Sequence, residues 1–347
     1  MTRDQVLDYL AQLPRFAEKP GIYREEKLLS FLGNPEKDFP AIHITGTNGK
    51  GSVSAMLAEV LKEAGLKVGV FTSPHLEDYP ERIQICGKEI SWANFGMVIR
   101  KVAESAKKWW AEEEGIPTEF DVLTAAGLLY FSNEKVDVAI IEVGMGGTFD
   151  STNVVEPILT IITNVAADHL DKCGPTLMDL AEHKAGIIKK NVPLVSAIEE
   201  GPLREIIRLK AKEVGAPFSF SGESWQWSGN ANHEFKKEDV EFFPKERILS
   251  HFQGNYHLGL LGKYQQSNAA LALAGLAILQ KRWPQISKVT ASGLKNARWP
   301  GRFELFVGES AIVIVDGAHN SAGAQSLRES LDEWFPEQNV NFIAGFL

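Results

Sequence analysis

The chain has 347 residues, 44% of them hydrophobic and 23% charged, which are globular proportions and exclude wholesale disorder. A formal net charge of −9 and the lack of any long Lys/Arg run give a nucleic-acid-binding role little electrostatic support. Its two cysteines, Cys86 and Cys173, form no C-x-x-C pair, so neither a disulfide framework nor a cysteine metal site is expected, which suits a reducing, cytoplasmic setting.

The N-terminal "MTRDQVLDYLAQL" reads as an amphipathic helix and not as a signal peptide. The apolar run "AIHIT" leads into a glycine-rich turn. Beyond it Val53, Met56, Leu57, Val60 and Leu61 recur at helical spacing, and Gly65 is placed to end that helix. "KVGVFTS", "VDVAIIEVG", "PILTIITNV" and "VPLVSA" are short β-branched runs, with helical patterns such as "FDVLTAAGLLYFSNE" and "LMDLAEHKAGIIKK" between them. This repetition predicts a mostly parallel sheet with helices on both faces. From about Ser219 to Gly259, turn residues and short alternating runs predict a small antiparallel β-appendage. "YQQSNAALALAGLAILQKRW" predicts a long buried helix, whose apolar stretch from Ala269 is too short to span a bilayer, so no membrane partner is expected. Proline and glycine in "NARWPGRFELF" mark a boundary near Arg298, dividing residues 1–297 from 298–347. After it, "AIVIVDGAHNSAGAQSLRESLDEWF" restarts strand–turn–helix and "NVNFIAGFL" begins another strand. A second, incomplete Rossmann-like α/β domain is therefore expected there.

The turn between "AIHIT" and its helix holds Gly46, Thr47, Asn48, Gly49, Lys50, Gly51 and Ser52. Glycines let the backbone approach a ligand closely, and N–H groups at a helix start carry the positive end of the dipole. Lys50 adds a mobile cation, and Ser52 a hydroxyl for phosphate or Mg²⁺. The string departs from G-x-x-x-x-G-K-[ST]: Ile44 stands at the first-glycine position, and Gly51 separates lysine from serine. A tight strand-to-helix turn without a ligand is the alternative reading.

"ITGTNGKGS" resembles the phosphate loop of the Mur ligase superfamily, specifically its folate branch of folylpolyglutamate and dihydrofolate synthases. "FTSPHLEDYPERI", "IIEVGMGGTFDSTNV", "DHLDKCGPTLMDLAEHKAGIIK", "WPGRFE" and "VDGAHN" resemble that branch's further motifs, in the family order, from about residue 40 to 320. Two departures are His183 just before the motif lysine and Ser321 where the family often has proline. The resemblance implies a P-loop NTPase-like central domain over 1–297 and the start of a glutamate-ligase domain over 298–347. It further implies a monomeric ATP-dependent ligase joining L-glutamate to a reduced folate or to dihydropteroate through an acyl phosphate. Because the family's C-terminal domain usually runs further, the chain as given is expected to bind nucleotide and to ligate poorly or not at all.

Such chemistry needs three anions held together and neutralised, which metals do most directly. Ser73, Glu142 and His169 each follow a strand-like run, at the carboxyl edge where open parallel sheets bind ligands. By resemblance they are ligands of Mg²⁺, with two ions expected. Read alone, Glu142 is as readily a loop or cap carboxylate, and His169 a hydrogen-bonded loop histidine, as are His43, His75 and His183. The resemblance makes Lys184 a carbamylated lysine facing the second Mg²⁺; a surface lysine in an ion pair is the alternative. It places Asn268 and Arg302 on the nucleotide, Asp316 near the ribose and His319 near the transferring phosphate. A helix N-cap and a linker salt bridge are the plain readings of Asn268 and Arg302. Phe120, flanked by Thr118, Glu119 and Asp121, offers an aromatic face and carboxylates to a pterin, or is a core residue at a helix start. Trp109 and Trp110 read as packing.

Two rival functions remain open. A cell-wall Mur ligase would normally carry a UDP-binding domain before the phosphate loop, where about forty residues stand here. A nucleotide-binding module without ligase activity would not need the lysine carbamate or the "DGAHN" segment.

Overall fold

The computed structural model describes residues 1–17, 20–112, 116–168, 170–232, 237–309 and 311–345. The side chains of residues 109–112, those of Trp109 and Trp110 among them, lie outside that description. Parallel strands buried on both faces must be apolar throughout, and the short β-branched runs behave accordingly. The sheet strands are β1 (Ala41–Thr45), β2 (Val68–Phe71), β3 (Ile83–Ile85), β4 (Lys88–Glu89), β5 (Val138–Glu142), β6 (Pro157–Ile162), β7 (Leu194–Ser196) and β8 (Phe218–Phe220). They lie in the order β4-β3-β2-β5-β1-β6-β7-β8. Strands β2, β5, β1, β6, β7 and β8 pair in parallel, and β3 and β4 add an antiparallel edge that the sequence patterns did not announce.

Alternation along β1 sorts two cores. Ile42 and Ile44 face a cluster with Met56, Leu57 and Val60, whereas Ala41 faces a cluster with Phe71, Val122 and Ile141. Helices α1 (Arg3–Ala11), α2 (Tyr23–Phe31), α4 (Trp92–Glu112) and α5 (Glu119–Glu134) cover the second face. Helix α3 (Lys50–Glu63) covers the first, with α9 (Tyr264–Leu279) and α10 (Ile286–Asn296). Helix α3 stops where predicted, Gly65 standing just past it at φ 87°. Helices α6 (Leu170–Cys173), α7 (Leu177–Ala185) and α8 (Pro202–Glu213) lie towards the β7–β8 end. Helix α7 ends at Ala185, short of the "GIIKK" that the sequence pattern had included, with Gly186 as its cap.

The appendage is an antiparallel sheet of β9 (Trp225–Asn232), β10 (Lys237–Pro244) and β11 (Gly254–Leu258). Helix α9 is buried almost all round because it lies between that sheet and the main one, which suits its Ala/Leu-rich sequence. Past Arg298, β12 (Glu304–Val307) and β13 (Ile312–Val315) form an antiparallel pair, followed by α11 (Ser321–Trp334). "NVNFIAGFL" was expected to begin a strand, but its described residues, 339–345, adopt none. A β-branched run becomes a strand only where a pairing edge is offered, and none is hydrogen-bonded to it here.

Helices α3 and α10 approach so closely that a Cβ built on Gly293 would lie 2.6 Å from Val60 Cγ2 and 2.7 Å from Val60 Cα. Gly293→Ala is therefore expected to destabilise the protein by about 1–3 kcal/mol through overpacking, against a helix-propensity gain of about 1 kcal/mol. The urea midpoint reads the balance.

Candidate active site

Strand β1 sits between β5 and β6, and its carboxyl end opens into a cavity of about 620 Å³. Gly46 to Ser52, Ser73, Glu142, Lys184, Asn268, Arg302, Asp316 and His319 all line it. Thus the structure brings together the phosphate loop, the ends of β2 and β5, one residue of α7, one of α9 and the segment after β13. Predicted ligand His169 lies outside the described residues, and its neighbour Asp168 lines the cavity.

The loop is held open by side chains around it. Thr47 and Asn48 donate their backbone N–H groups to the Asn164 side-chain oxygen at 3.2 and 2.9 Å. Thr163 Oγ1 donates to the Asn48 carbonyl at 2.6 Å, and Thr47 Oγ1 exchanges hydrogen bonds with Ala166, each 3.0 Å. Gly46, at φ 154°, passes so near β6 that a Cβ there would lie 1.7 Å from Thr163 Oγ1. Gly49 caps α3 at φ 86°. Gly51 lies inside α3 with ordinary helical backbone, so the flexibility expected of it is not what the site uses. A Cβ there would lie 2.5 Å from Trp299 Nε1, and a close approach of that indole explains the glycine between lysine and serine. With Thr47 and Asn48 committed to Asn164, the N–H groups left for an anion are those of the first turn of α3, which no helix satisfies internally.

Lys50 Nζ donates to the carbonyls of Gly46 and Thr47 at 3.0 and 3.1 Å and stands 3.9 Å from Glu142 Oε1. Glu142 is 4% exposed. Burial pushes its pKa up to about 7, against the Lys50 and Arg302 charges and the Ser73 N–H, which favour the carboxylate. Lys184 is 3% exposed, and its side chain makes no hydrogen bond or ion pair with the described residues. Burial, and then the Lys50 charge, push its pKa down to about 7. Ser52 Oγ accepts from Gln265 Nε2 at 3.1 Å, and Asn268 donates to Gln265 Oε1 at 2.9 Å, within α9 and not at its cap.

The "GMGGTFDSTN" segment builds the wall opposite. Asp150 accepts from Met145 N–H at 2.9 Å and Thr152 N–H at 3.0 Å. Asn153 Nδ2 donates to the carbonyls of Thr148 and Gly186 at 3.0 and 3.2 Å, tying the loop to the end of α7 beside Lys184.

The C-terminal segment closes the cavity. Asp316 accepts from Tyr264 OH, the Phe303 N–H and the Ala318 N–H, each at 2.8 Å, so it orders the turn as well as lining the cavity. Asn320 and Asn48 exchange side-chain amide hydrogen bonds at 3.0 and 3.1 Å, and Asn320 also donates to Asp168 Oδ2 at 3.1 Å. His319, 61% exposed at its side chain, has Nε2 at 3.6 Å from Asp168 Oδ2. Asn164, Asp168, Trp299 and Asn320 were not picked out from the sequence, although all four stand inside or beside quoted motifs. Nothing in their residue types separates them from ordinary turn and packing residues.

The expected pterin residues are placed differently. None of Thr118, Glu119, Phe120 and Asp121 lines the cavity. Thr118 and Asp121 form the capping box of α5, and Asp121 also accepts from Arg24 Nε at 3.2 Å and Ser151 Oγ at 2.6 Å. Glu119 accepts from Tyr79 OH at 2.5 Å. Phe120 rests 6.0 Å from the Phe71 ring and against Gly144, which does line the cavity. His75 accepts from Arg82 Nε at 2.8 Å, and the His183 carbonyl from Thr148 N–H at 2.8 Å. His43 is not a loop residue: it is buried in β1 with Nε2 2.9 Å from Thr152 Oγ1. Among the described residues no three His, Cys, Asp or Glu side chains converge as a metal cluster.

A glycine–lysine loop on the central strand of a parallel sheet, with a carboxylate on the next strand, defines a phosphate-binding α/β protein. Residues 44–276 match the Mur ligase middle domain family. The dihydrofolate synthase/folylpolyglutamate synthase of Bacillus subtilis is 37% identical over 338 residues, 96% of this chain and 77% of that protein. The folylpolyglutamate synthase of Lacticaseibacillus casei is 33% identical over 353 residues, 100% of this chain and 80% of that one. A solved FPGS–AMPPCP–folate complex superposes with a TM-score of 0.88 at 32% identity, covering 98% of this chain and 82% of that one. The chain belongs to the folylpolyglutamate and dihydrofolate synthase family of Mur ligases.

His43 gives a test of the sheet beneath the site. Burial, then the Lys189 charge, push its pKa down to about 3, so the folded protein holds it neutral. The unfolded chain binds that proton below its ordinary value of about 6.5, so this group destabilises the fold as pH falls through that value. The loss is about 1.4 kcal/mol per pH unit. Glu142, raised, works in the opposite direction between its ordinary value and about 7. The difference in urea midpoint between wild type and His43→Gln at pH 6.5 and 5.5 isolates the histidine, with the variant expected to lose less.

Proposed function

We propose that the protein is an ATP-dependent ligase that joins L-glutamate to the carboxylate of a folate, or of dihydropteroate, through an acyl phosphate. The observation that carries this reading is the convergence of the phosphate loop, Glu142, Lys184 and the 316–320 turn on one cavity. A carboxylate is a poor acyl donor because oxide leaves badly. When a folate carboxylate oxygen attacks the γ-phosphorus of ATP, ADP leaves and an acyl phosphate forms. The glutamate amine then attacks the acyl carbon, and the tetrahedral intermediate expels phosphate.

In this reading the first turn of α3 and Lys50 neutralise the outer phosphates, while Arg302 and His319 approach them from the C-terminal side. Asn268 and Asp316 line the nucleotide. Ser73, Glu142 and His169 would hold Mg²⁺, for which a hydroxyl and a carboxylate at adjoining strand ends are suitable hard donors. When bound, Mg²⁺ would offset phosphate charge. Lys184, kept partly neutral by its surroundings, is suited to add CO₂ at Nζ and lose a proton, giving a carbamate that presents anionic oxygens to a second Mg²⁺. The pterin is assigned to the side of Phe120 and Glu119, beyond Gly144.

Several coarser features support the remaining assignments. Among the described residues no helix is long and apolar enough to cross a membrane, and Cys86 and Cys173 are both free, which suits a cytoplasmic setting. A cleft closed by parts of one chain suits a monomer, with the boundary between ATP-binding and glutamate-ligase parts near Arg298.

Phosphate release from ATP is expected to require both L-glutamate and a pterin acid; release with neither present sinks the ligase reading. 7,8-Dihydropteroate against tetrahydrofolate as acceptor separates the two family activities. Lys184→Ala is expected to lower kcat by about 10²–10³-fold, the range for loss of one charge-stabilising group, and to abolish a carbamate ¹³C resonance seen with labelled bicarbonate. A variant that keeps full turnover excludes the carbamate.

A further inference from the structure

Glu238 lies on β10, away from the cavity, and is 0% exposed. Its Oε1 accepts from the Gly262 N–H at 3.0 Å and from the Trp334 indole N–H at 2.5 Å, and its Oε2 accepts from Gln266 Nε2 at 2.8 Å. The donors belong to three separate pieces: the loop before α9, α11, and α9 itself. Burying a carboxylate is costly unless its lone pairs are met, and burial does push this pKa up. An apolar side chain would fill the same volume without that cost, so the hydrogen bonds specify a geometry that packing alone would not.

The geometry specified is that of α11. Near Trp334, Ser330 Oγ accepts from Lys263 N–H at 3.0 Å and Glu333 Oε1 from Ala231 N–H at 2.7 Å. Ala231, Phe303, Leu331 and Trp334 form a small core of their own there. The 14 residues of α11 span about 21 Å. At its other end Asn320 caps the helix through the Gly323 N–H at 2.8 Å and bonds Asn48 of the phosphate loop. A helix docked firmly at one end fixes the position of the other.

We propose that Glu238 is a positioning residue: through Trp334 it sets the direction of α11, and so holds Asn320 against the phosphate loop and His319 beside Asp168. The role in turnover rests on the ligase reading; the mechanical role does not. Amide exchange read by mass spectrometry, with and without AMPPCP, tests it in the whole chain. In wild type, AMPPCP is expected to slow exchange in both the phosphate loop and residues 316–323. Glu238→Ala and Trp334→Phe are expected to speed exchange in α11 at least tenfold, to leave α3 within twofold, and to abolish the AMPPCP effect at 316–323 alone. Both are expected to lower kcat at least tenfold while KM for ATP moves less than threefold. Glu238→Gln, which keeps an acceptor for Gly262 and Trp334, is expected to restore most of both signals. Trp334→Phe retains an aromatic ring and serves if Glu238→Ala does not fold. Parallel acceleration in α3 and α11, or unchanged α11 exchange, overturns the proposal. So does accelerated α11 exchange with kcat intact. A wild-type phosphate loop whose exchange AMPPCP does not slow defeats the nucleotide-dependent ligase reading, and the exchange pattern of the variants in α11 still decides on Glu238.

Discussion

The hydrogen bonds from Thr47 and Asn48 to one side-chain oxygen, that of Asn164, are the interaction on which the site depends. A glycine-rich turn left to itself samples many conformations, because glycine gives up much backbone entropy on ordering. Here the turn is fastened to the strand next door by Asn164, Thr163 and Ala166, so its shape is settled by the sheet. The amides at the start of α3 therefore point into the cavity before any anion arrives. Such preorganisation is what makes backbone dipoles effective, since they need not reorient as charge develops.

The same principle orders the second wall. Asp150 and Asn153 are turn residues by composition, yet their side chains close hydrogen bonds that set the loop from Gly144 to Thr148 against α7. Lys184 beside it is buried and lines the cavity. Two ionisable groups at this rim, Glu142 and Lys184, are moved towards neutrality chiefly by burial. For Lys184 the nearby Lys50 charge adds to the effect of burial.

Much of this was legible in the sequence. The parallel strands declared themselves as β-branched runs, α9 as a helix apolar on every side, and the cavity residues Lys50, Glu142 and Lys184 through their motifs. Strand β4 was not legible because Lys88 and Glu89 carry no apolar alternation; they are a strand only because β3 lies beside them. Thr118 and Asp121 show why the segment reads two ways: a capping box and a polar ligand shell use the same residue types. Asp168, Asn320 and Glu238 were invisible for another reason: their roles rest on contacts between residues 152, 272 and 96 positions apart, which no local pattern encodes.

Lys50 has partners of its own within the protein. It is turned back onto the carbonyls of its own loop and towards Glu142. The side chain thus acts as a built-in counterion to the carboxylate of Glu142. A triphosphate arriving there competes with the protein's own oxygen atoms for that ammonium. The affinity measured for any nucleotide is consequently a net exchange of partners, weaker than the bare attraction between lysine and phosphate.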